Sequence, residues 1–501
     1  MIRRLLLAAV LLAAIPAAGW PQTLRIALRE DADLLDPTLA RTYVGRIIFA
    51  GLCDKLFDLN EKLEIVPQLA TGYEWTDPVT LIIHLRSGVT FHDGEILDAA
   101  AVKYTLERDL TLPGSFRRGE IASIDHVEIV DPATVKIVLK TPSSPLLSQL
   151  TDRAGMILPP KATEAAGKDF SQAPVCSGPF RFVERVAQDR VVLDRFPGYW
   201  DAKNVHFDRV IYQPMPDSAV LLANLRSGTV DLAERVLPTD IAQVKADPKL
   251  RIVTSPALGY EAITFNVGNG DRANSPVGQN KLLRQAFEAA IDRQALVDVV
   301  FNGMYTPNAQ AISPASPFHL ESVPPPGRDL AKAKDLIKQS GVPTPIEVQM
   351  NVPNTPDRAQ EAEVIQSMVK EAGFDVKLNL IEFAASLQAA TRGEFQAYLI
   401  GWSGRADPDG NMFAFLTTGS TQNDGHYSNP ALDKALNDAR RNVDFAYRRD
   451  HYDTALQILR QDMPLIYLLS PVNVVGMSTK LTGFRPVPDG MIRLQGLAKV
   501  Q

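Results

Sequence analysis

The chain has 501 residues, of which 45% are hydrophobic and 22% are charged, so it can bury the cores of two or three domains. Its 52 basic and 58 acidic residues give a formal net charge of −6 at pH 7. This mildly acidic, mixed balance argues against nucleic acid or an anionic membrane as the main partner.

The N-terminus has the three-part pattern of a secretory signal peptide over residues 1–19. Met1–Arg4 is basic, Leu5–Ile15 is an apolar run too short to span a bilayer, and Pro16–Gly19 supplies the small residues of a cleavage site. We expect cleavage near Gly19 and export to the periplasm; a buried N-terminal helix is the alternative. No cysteine follows the run where a lipid-anchored protein would carry one, so we expect the exported protein to be free.

The chain contains two cysteines, Cys53 and Cys176. An oxidising compartment favours one disulfide between them, and two separate buried thiols are the alternative. Their spacing indicates neither a metal site nor a redox-active CxxC motif.

The first half of the chain is rich in predicted strands. Leu81, Ile83 and Leu85 alternate with polar neighbours, which is the pattern of a half-buried strand. Asp98 is placed to cap a helix through Leu106. Further predicted elements are a strand at 24–28, a helix at 42–52, a hairpin at 127–139 and a strand pair at 180–186 and 190–196.

The second half alternates strands with helices. A helix from 329 to 340 ends at Gly341, a favourable residue after a helix terminus. The elements that follow are a strand at 346–351, a helix at 358–371, a strand at 376–380, a helix at 384–391 and a strand before Trp402. This order predicts an open α/β layer, in which ligands bind at the ends of strands.

One loop, residues 401–411, carries the strongest indication of a binding site. It follows an apolar run, Phe395–Ile400, and delivers a tryptophan and several charged residues from a buried strand. It is not a hydrolase nucleophile elbow, because Arg405 stands where that motif has its last glycine. It is not a calcium loop either, because Met412 and Thr418 occupy essential positions.

No other segment predicts catalysis. The sequence contains no HExxH, no G-x-S-x-G and no P-loop motif, and its seven histidines do not pair at metal-ligand spacing. We therefore predict no catalytic residue, no metal ligand and no cofactor.

Several segments resemble one bacterial protein family in order and spacing. They are residues 70–108, Cys176–Phe182, Ile263–Val267 and Leu283–Arg293. The chain is similar over nearly its whole mature length to the family 5 extracellular solute-binding proteins, which are peptide, nickel and opine receptors of ABC importers.

The resemblance implies an α/β fold of two lobes that close around a ligand, with mixed sheets and flanking helices. Lobe I would comprise residues 20–266 and 471–501, with a subdomain at about 51–177, and lobe II would comprise residues 267–470. The chain would cross between them near Ala262–Asn266 and near Leu468–Val475.

The implied function is that of a monomeric periplasmic receptor. It would capture a dipeptide, an oligopeptide or a related small ligand and deliver it to a membrane permease driven by an ATPase. It would catalyse no reaction and need no cofactor.

The resemblance also implies ligand-binding residues. It places Gly401, Trp402 and Ser403 beside the ligand. Tyr43 aligns with a ligand-facing stretch of lobe I, with core packing as the alternative.

At one position the sequence departs from the peptide-binding pattern. The family has an aspartate three residues after the tryptophan, where it binds the ligand's α-amino group, and this chain has Arg405. An arginine there favours a carboxylate or phosphate. Alternatively, Arg405 pairs with Asp407 or Asp409 in its own loop, or a loop shift brings Asp407 to the amine.

Rival functions remain at this point. Within the receptor class, the ligand could be an opine, a modified peptide or another carboxylate-bearing compound, with nickel or haem less favoured. From other classes, the rivals are a secreted α/β hydrolase and a periplasmic chaperone or signalling receptor.

Overall fold

The computed structural model describes residues 22–500. The predicted signal peptide, 1–19, lies outside the described residues. Within 22–500, no helix has both the length and the apolar character needed to cross a membrane.

The first sheet has seven strands, and Thr23–Leu28 lies inside it. Leu24, Ile26 and Leu28 of that strand are buried in the core, which explains the apolar alternation in the sequence. Parallel neighbours flank this strand on both sides. The strand order is Leu250–Pro256, Val472–Ser478, Leu232–Ala233, Thr23–Leu28, Arg209–Pro214, Arg190–Arg195 and Phe180–Val186.

A separate four-stranded antiparallel sheet has its own core of residues between 56 and 157. Leu81 and Ile83 are buried, which confirms the predicted alternation, and Asp98 caps the helix Ala99–Thr111 by accepting from two backbone N–H groups. A disulfide joins Cys53 and Cys176, whose Cα atoms lie 4.9 Å apart. The strand order is Ala70–Asp77, Thr80–Leu85, Thr134–Leu139 and Ile124–Asp131.

The third large sheet has six strands and holds the predicted alternation of strands and helices. Ile346–Pro353 pairs in parallel with both Phe374–Ile381 and Ala397–Trp402, and helices connect them. Gly341, at a φ of +71°, ends the preceding helix as predicted. The strand order is Thr306–Pro307, Leu465–Ser470, Tyr260–Phe265, Ala397–Trp402, Ile346–Pro353 and Phe374–Ile381.

Helices cover these sheets. Those in the parts built on the first two sheets are Tyr43–Leu52, Ala99–Thr111, Leu146–Gln149, Pro160–Ala166, Ser218–Ser227 and Ile241–Lys245. Those around the six-stranded sheet are Pro276–Gln279, Lys281–Ala289, Arg293–Phe301, Leu330–Ser340, Pro356–Lys370, Phe383–Thr391, Asp409–Leu416, Pro430–Arg440 and Phe445–Asp462. Two short strand pairs complete the architecture: Phe57–Leu59 with Ile65–Pro67, and Leu481–Thr482 with Ala498–Lys499.

The chain crosses between the seven-stranded and six-stranded sheets at 257–259 and again at Pro471. The strand Tyr260–Phe265 therefore lies in the six-stranded sheet, and the predicted lobe I boundary at 266 falls too late. Only three residues separate this strand from Leu250–Pro256. The apolar patterns of the two strands are therefore nearly continuous in the sequence, and they do not show where the chain leaves the first sheet. Below, lobe I means residues 22–256 and 472–500, and lobe II means residues 260–470.

Candidate ligand-binding site

A cavity lies between the lobes, next to both crossings of the chain. Its empty space is about 1710 Å³ when the part that opens to solvent is included. Lobe I contributes the ends of strands and the start of a helix, and lobe II contributes aromatic side chains and the end of the strand Ala397–Trp402.

The predicted tryptophan loop forms part of the cavity wall. Gly401, Trp402 and Ser403 line it, and the Trp402 ring packs edge-on against Phe415 with centroids 4.6 Å apart. The indole N–H of Trp402 donates to Asn411 Oδ1 at 3.0 Å, which fixes the ring. The indole nitrogen is therefore already used, and the ring offers the cavity an apolar surface.

Tyr43 lies on the lobe I wall, as the first residue of the helix Tyr43–Leu52. Its hydroxyl donates to the carbonyl of Gly490 at 2.8 Å. A side chain at residue 490 would meet this hydroxyl at 2.1 Å, so glycine is required there. Burial, followed by the nearby Glu234 carboxylate, raises the pKa of Tyr43. Its ring is therefore a fixed, neutral surface.

Two of the arginines in the cavity wall are paired with acids of the opposite lobe. Arg29 pairs with Asp357, and Arg41 Nη2 lies 2.9 Å from Asp424 Oδ2 while its Nη1 donates to Thr391. Burial alone would raise the pKa of Asp357, but Arg29 and then Arg358 lower it to about 2. These cations hold the lobes together and have their charges balanced within the protein.

A third arginine, Arg358, is paired within lobe II. Its two terminal nitrogens lie 2.5 Å from Glu261 Oε1 and 2.7 Å from Glu361 Oε2. Burial raises the pKa of Glu361 to about 8, although Arg358 acts in the opposite direction. The Glu261 carboxylate also explains Gly401, because a Cβ at that position would lie 2.2 Å from Glu261 Oε2.

Arg235 is the fourth arginine of the wall, and its surroundings differ. Its Nε lies 3.0 Å from Glu234 Oε1, and its guanidinium lies 4.8 Å from the centre of the Tyr43 ring. Within residues 22–500, neither Nη1 nor Nη2 donates a hydrogen bond. Its φ of +56° lies in the left-handed region, which costs a residue with a Cβ roughly 1–2 kcal/mol. Such a conformation is a reason to look for function.

The side chains of Glu30 and Tyr305 likewise make no hydrogen bond within the described part of the chain. Glu30 is half-buried at the cavity, and burial raises its pKa to about 7, with Arg235 the largest of the opposing influences. Tyr305 of lobe II stacks on Phe301 with centroids 4.3 Å apart, and burial raises the pKa of its hydroxyl to about 12. Both groups are free to bind a ligand.

Arg405 does not line the cavity. It is buried behind Trp402, with its guanidinium 4.4 Å from the ring centre, and its Nε lies 3.0 Å from Oδ2 of Asp152 in lobe I. Arg46 Nη2 lies 2.5 Å from the same oxygen, and Arg46 Nη1 donates to Ser403 at 3.0 Å. Arg405 therefore neither faces the cavity nor pairs with Asp407 or Asp409, which were the two alternatives drawn from the sequence.

Burial, followed by Arg46, lowers the pKa of Arg405 to about 10, although Asp152 acts in the opposite direction. Burial would raise the pKa of Asp152, but Arg405 and Arg46 hold it well below its usual range. The cluster therefore consists of a carboxylate between two guanidiniums, one from each lobe.

Asp407 and Asp409 also point away from the cavity. Asp407 accepts from Arg448 at 2.7 and 2.9 Å, so it is not brought to a ligand amine. Asp409 pairs with Arg440 at 2.8 Å and accepts from Gln149 of lobe I at 3.2 Å. Arg405 and Asp409 of this loop therefore contact lobe I, whereas Asp407 pairs within lobe II.

The sequence analysis missed Arg235, Glu30 and Tyr305. One signal could have found the first two: the pairs Arg29–Glu30 and Glu234–Arg235 each follow a short apolar strand. Charged residues at the carboxyl ends of neighbouring parallel strands are typical of ligand sites in α/β sheets.

Within residues 22–500, no group of three or more His, Cys, Asp or Glu side chains is arranged to hold a metal ion.

Two lobes built on separate sheets, joined by two crossings and enclosing a cavity, define the class of two-lobed solute-binding proteins. A sequence profile described as "Bacterial extracellular solute-binding proteins, family 5 Middle" matches residues 64–424. The chain belongs to this family of bacterial solute-binding proteins, the periplasmic binding components of ABC importers.

Curated relatives cover nearly the whole chain. The "Glutathione-binding protein GsiB" of Pectobacterium atrosepticum is 30% identical over 485 residues, which is 94% of this chain and 93% of that protein. The protein of the same name from Salmonella typhi is 30% identical over 492 residues, or 95% and 94% of the two chains.

Solved structures agree with this fold. The binding protein AgaA in complex with agropinic acid, from A. tumefacien R10, is 26% identical with a TM-score of 0.87, covering 96% of this chain and 99% of that one. DppA from Helicobacter pylori in complex with the peptide STSA has a TM-score of 0.88 at 24% identity, with 96% and 98% covered, and supports the fold alone.

Proposed function

We propose that this protein captures a small peptide-like molecule, with glutathione or a similar short peptide as the foremost candidate. It encloses the ligand between its lobes and delivers it to a permease powered by a cytoplasmic ATPase. It acts as a monomer, free in the periplasm after cleavage near Gly19, and binds its ligand without transforming it. The likeness to glutathione-binding proteins over 93–94% of both chains supports this ligand class.

The observation that carries the proposal is the composition of the cavity wall. Gly401, Trp402 and Ser403 on one side and Tyr43 on the other give it apolar faces and backbone groups. Charged side chains stand between these faces. Within residues 22–500 no hydrogen bond reaches the Glu30 carboxylate or Nη1 and Nη2 of Arg235, whose Nε pairs with Glu234. A small ligand with both charges and an amide backbone matches such a wall.

Binding and closure are linked in this proposal. The ligand favours the closed arrangement only if it binds that arrangement more tightly than the open one. Because the cavity walls come from both lobes, an enclosed ligand gains contacts that neither lobe supplies alone.

Mass spectrometry of the ligand retained by protein purified from the native periplasm tests the proposal. We expect a short peptide or an amino-acid derivative. Calorimetry then measures binding to protein freed of that ligand, using glutathione, its α-linked isomer, the peptide STSA and agropinic acid. A retained metal complex or haem, or no binding by any of the four compounds, would contradict the proposal.

An opine is the second candidate, favoured by the 26% identity to the agropinic acid-binding protein and by the open donors of Arg235. Tighter binding of agropinic acid than of all three peptides would favour it. Hydrolysis of a generic ester would instead support the rival class of secreted hydrolases.

A further inference from the structure

The charged groups of the cavity divide into those that are paired and those that are open. Arg29, Arg41 and Arg358 each pair with a carboxylate. Arg235 and Glu30 keep binding capacity directed at the cavity, because within residues 22–500 no hydrogen bond reaches Nη1 or Nη2 of Arg235 or the Glu30 carboxylate. A ligand can therefore add contacts at this second group without breaking an existing ion pair.

Arg235 has the features of a carboxylate receptor. Glu234 holds its Nε at 3.0 Å and the Tyr43 ring lies against its flat face, so the side chain is fixed with its outer edge free. A guanidinium edge presents two parallel donors that match the two oxygens of a carboxylate. The side chain is 28% exposed, which leaves that edge accessible from the cavity.

Glu30 lies close to Arg235 because of the sheet topology. The strand Thr23–Leu28 pairs in parallel with Leu232–Ala233, and Glu234 N donates to Ala27 O at 2.9 Å. Glu30 and Arg235 therefore both follow the carboxyl ends of adjacent strands. Arg235 also has the largest effect of any charged neighbour on the pKa of Glu30.

We infer that Glu30 and Arg235 form a receptor for an α-amino-acid head group, in which an ammonium and a carboxylate share one carbon atom. Glu30 accepts from the ammonium, and the outer edge of Arg235 donates to the carboxylate. This inference rests on the proposed function and names the part of the ligand that the site selects.

The alternatives leave one of the two open groups without a ligand contact. The amino terminus of an ordinary α-linked peptide carries an amide beside its ammonium, so Nη1 and Nη2 of Arg235 would gain no carboxylate. The carboxyl terminus carries an amide beside its carboxylate, so Glu30 would remain without a cation. Enclosing a ligand that leaves donors or a carboxylate without a partner costs affinity. A γ-linked peptide such as glutathione or a free amino acid satisfies both.

Tyr305 extends this site into lobe II. Tyr305 lines the same cavity as Glu30 and Arg235, and within residues 22–500 its hydroxyl makes no hydrogen bond. A head group bound to Glu30 and Arg235 thus has a donor available from the opposite lobe. Binding of the head group then favours closure directly.

The test is calorimetry with glutathione and with its α-linked isomer, which has the same atoms but no free α-amino-acid head group. We expect glutathione to bind about 30-fold more tightly or better, since the isomer leaves Nη1 and Nη2 of Arg235 without a carboxylate. Arg235→Gln and Glu30→Gln should each reduce this preference to within about threefold. Arg226→Gln, an exposed arginine of the same lobe, is the matched control and should preserve it.

Because Arg235 also neutralises Glu234, Arg235→Lys is the second variant. It keeps a positive charge beside Glu234 but loses the planar edge, so it should fold and still lose most of the preference. Equal binding of the two isomers by the unchanged protein, or a preference that survives in Arg235→Lys and Glu30→Gln, would overturn the inference while the proposed function stands. No binding of glutathione, its isomer, STSA or agropinic acid would overturn both.

Discussion

Arg235 and Arg405 each hold a guanidinium against an aromatic ring in the wall between the lobes, yet they end in opposite surroundings. Arg235 lies 4.8 Å from the Tyr43 ring centre and Arg405 lies 4.4 Å from that of Trp402. Arg405 continues to Asp152 of the opposite lobe, whereas Arg235 directs its outer edge at the cavity. Burial and stacking are therefore shared by an arginine that bridges the lobes and one that lines the cavity, and only the latter can contact a ligand.

The difference separates two tasks within one interface. The paired cluster of Asp152, Arg46 and Arg405 stabilises the contact between lobes whatever ligand is enclosed. The open pair of Glu30 and Arg235 interacts with the ligand itself. Substitutions in the cluster should change stability and closure, and substitutions in the open pair should change selectivity.

Asp152→Asn should give the largest effect on stability. The substitution leaves Arg46 and Arg405 buried without their shared carboxylate, which costs about 3–5 kcal/mol. Urea unfolding measures the loss, and Asp335→Asn, at an exposed position of lobe II, is the control with an expected change within about 0.5 kcal/mol. A loss below about 1 kcal/mol for Asp152→Asn would show that the cluster contributes little.

Arg405→Lys and Arg235→Lys should differ in selectivity. Arg405→Lys weakens closure for every ligand, so the affinities for glutathione and its α-linked isomer should fall by the same factor. Arg235→Lys should lower the glutathione affinity about 10- to 100-fold and leave the isomer nearly unchanged. If the two variants alter the ratio of affinities equally, the division of tasks is wrong.

The affinity for glutathione should rise with pH up to about 7. Burial raises the pKa of Glu30 to about 7, and Arg235, Glu234, Arg29 and Arg358 also act on it. Only the carboxylate accepts from an ammonium, so each unit of pH below 7 should weaken binding about tenfold.

Calorimetry at several pH values below and above 7 measures this dependence. The curve should flatten in Glu30→Gln, which no longer titrates at this position. Burial raises the pKa of Glu361 to about 8, and this residue is unchanged in Glu30→Gln. Any pH dependence of the affinity that persists in the variant therefore comes from Glu361 or from another group. An unchanged slope in Glu30→Gln would assign the titration to another group.

Trp402→Phe should give the smallest effect. It removes the N–H that donates to Asn411 at 3.0 Å, while Asn411 still accepts from Arg405 N at 2.7 Å. We expect a loss of about 1 kcal/mol in unfolding free energy and an unchanged preference for glutathione over its isomer. A changed preference would mean that the indole N–H acts on the ligand.

The sequence predicted the elements that carry the site better than the contacts within it. Alternating apolar residues located the strand before Trp402, and capping residues such as Asp98 and Gly341 located helix ends, because these signals are local. The partner of Arg405 could not be predicted, since Asp152 is brought to it only when the two lobes meet. The loop composition suggested Asp407 and Asp409 because they are near in sequence.

Arg235 was missed for a related reason. It lies in a short segment without a motif. That its Nη1 and Nη2 make no hydrogen bond within residues 22–500 can be known only from the positions of its neighbours in the structure. The charged pairs that end two adjacent strands were the available signal, but recognising them as neighbours required the strand order.

The most direct test is a crystal structure of the protein with the ligand that it retains from the periplasm. The account predicts a ligand carboxylate within hydrogen-bond distance of Nη1 and Nη2 of Arg235 and a ligand ammonium at Glu30, with Arg405 still paired to Asp152. A ligand that contacts Arg405 while Arg235 and Glu30 bind only water would contradict it.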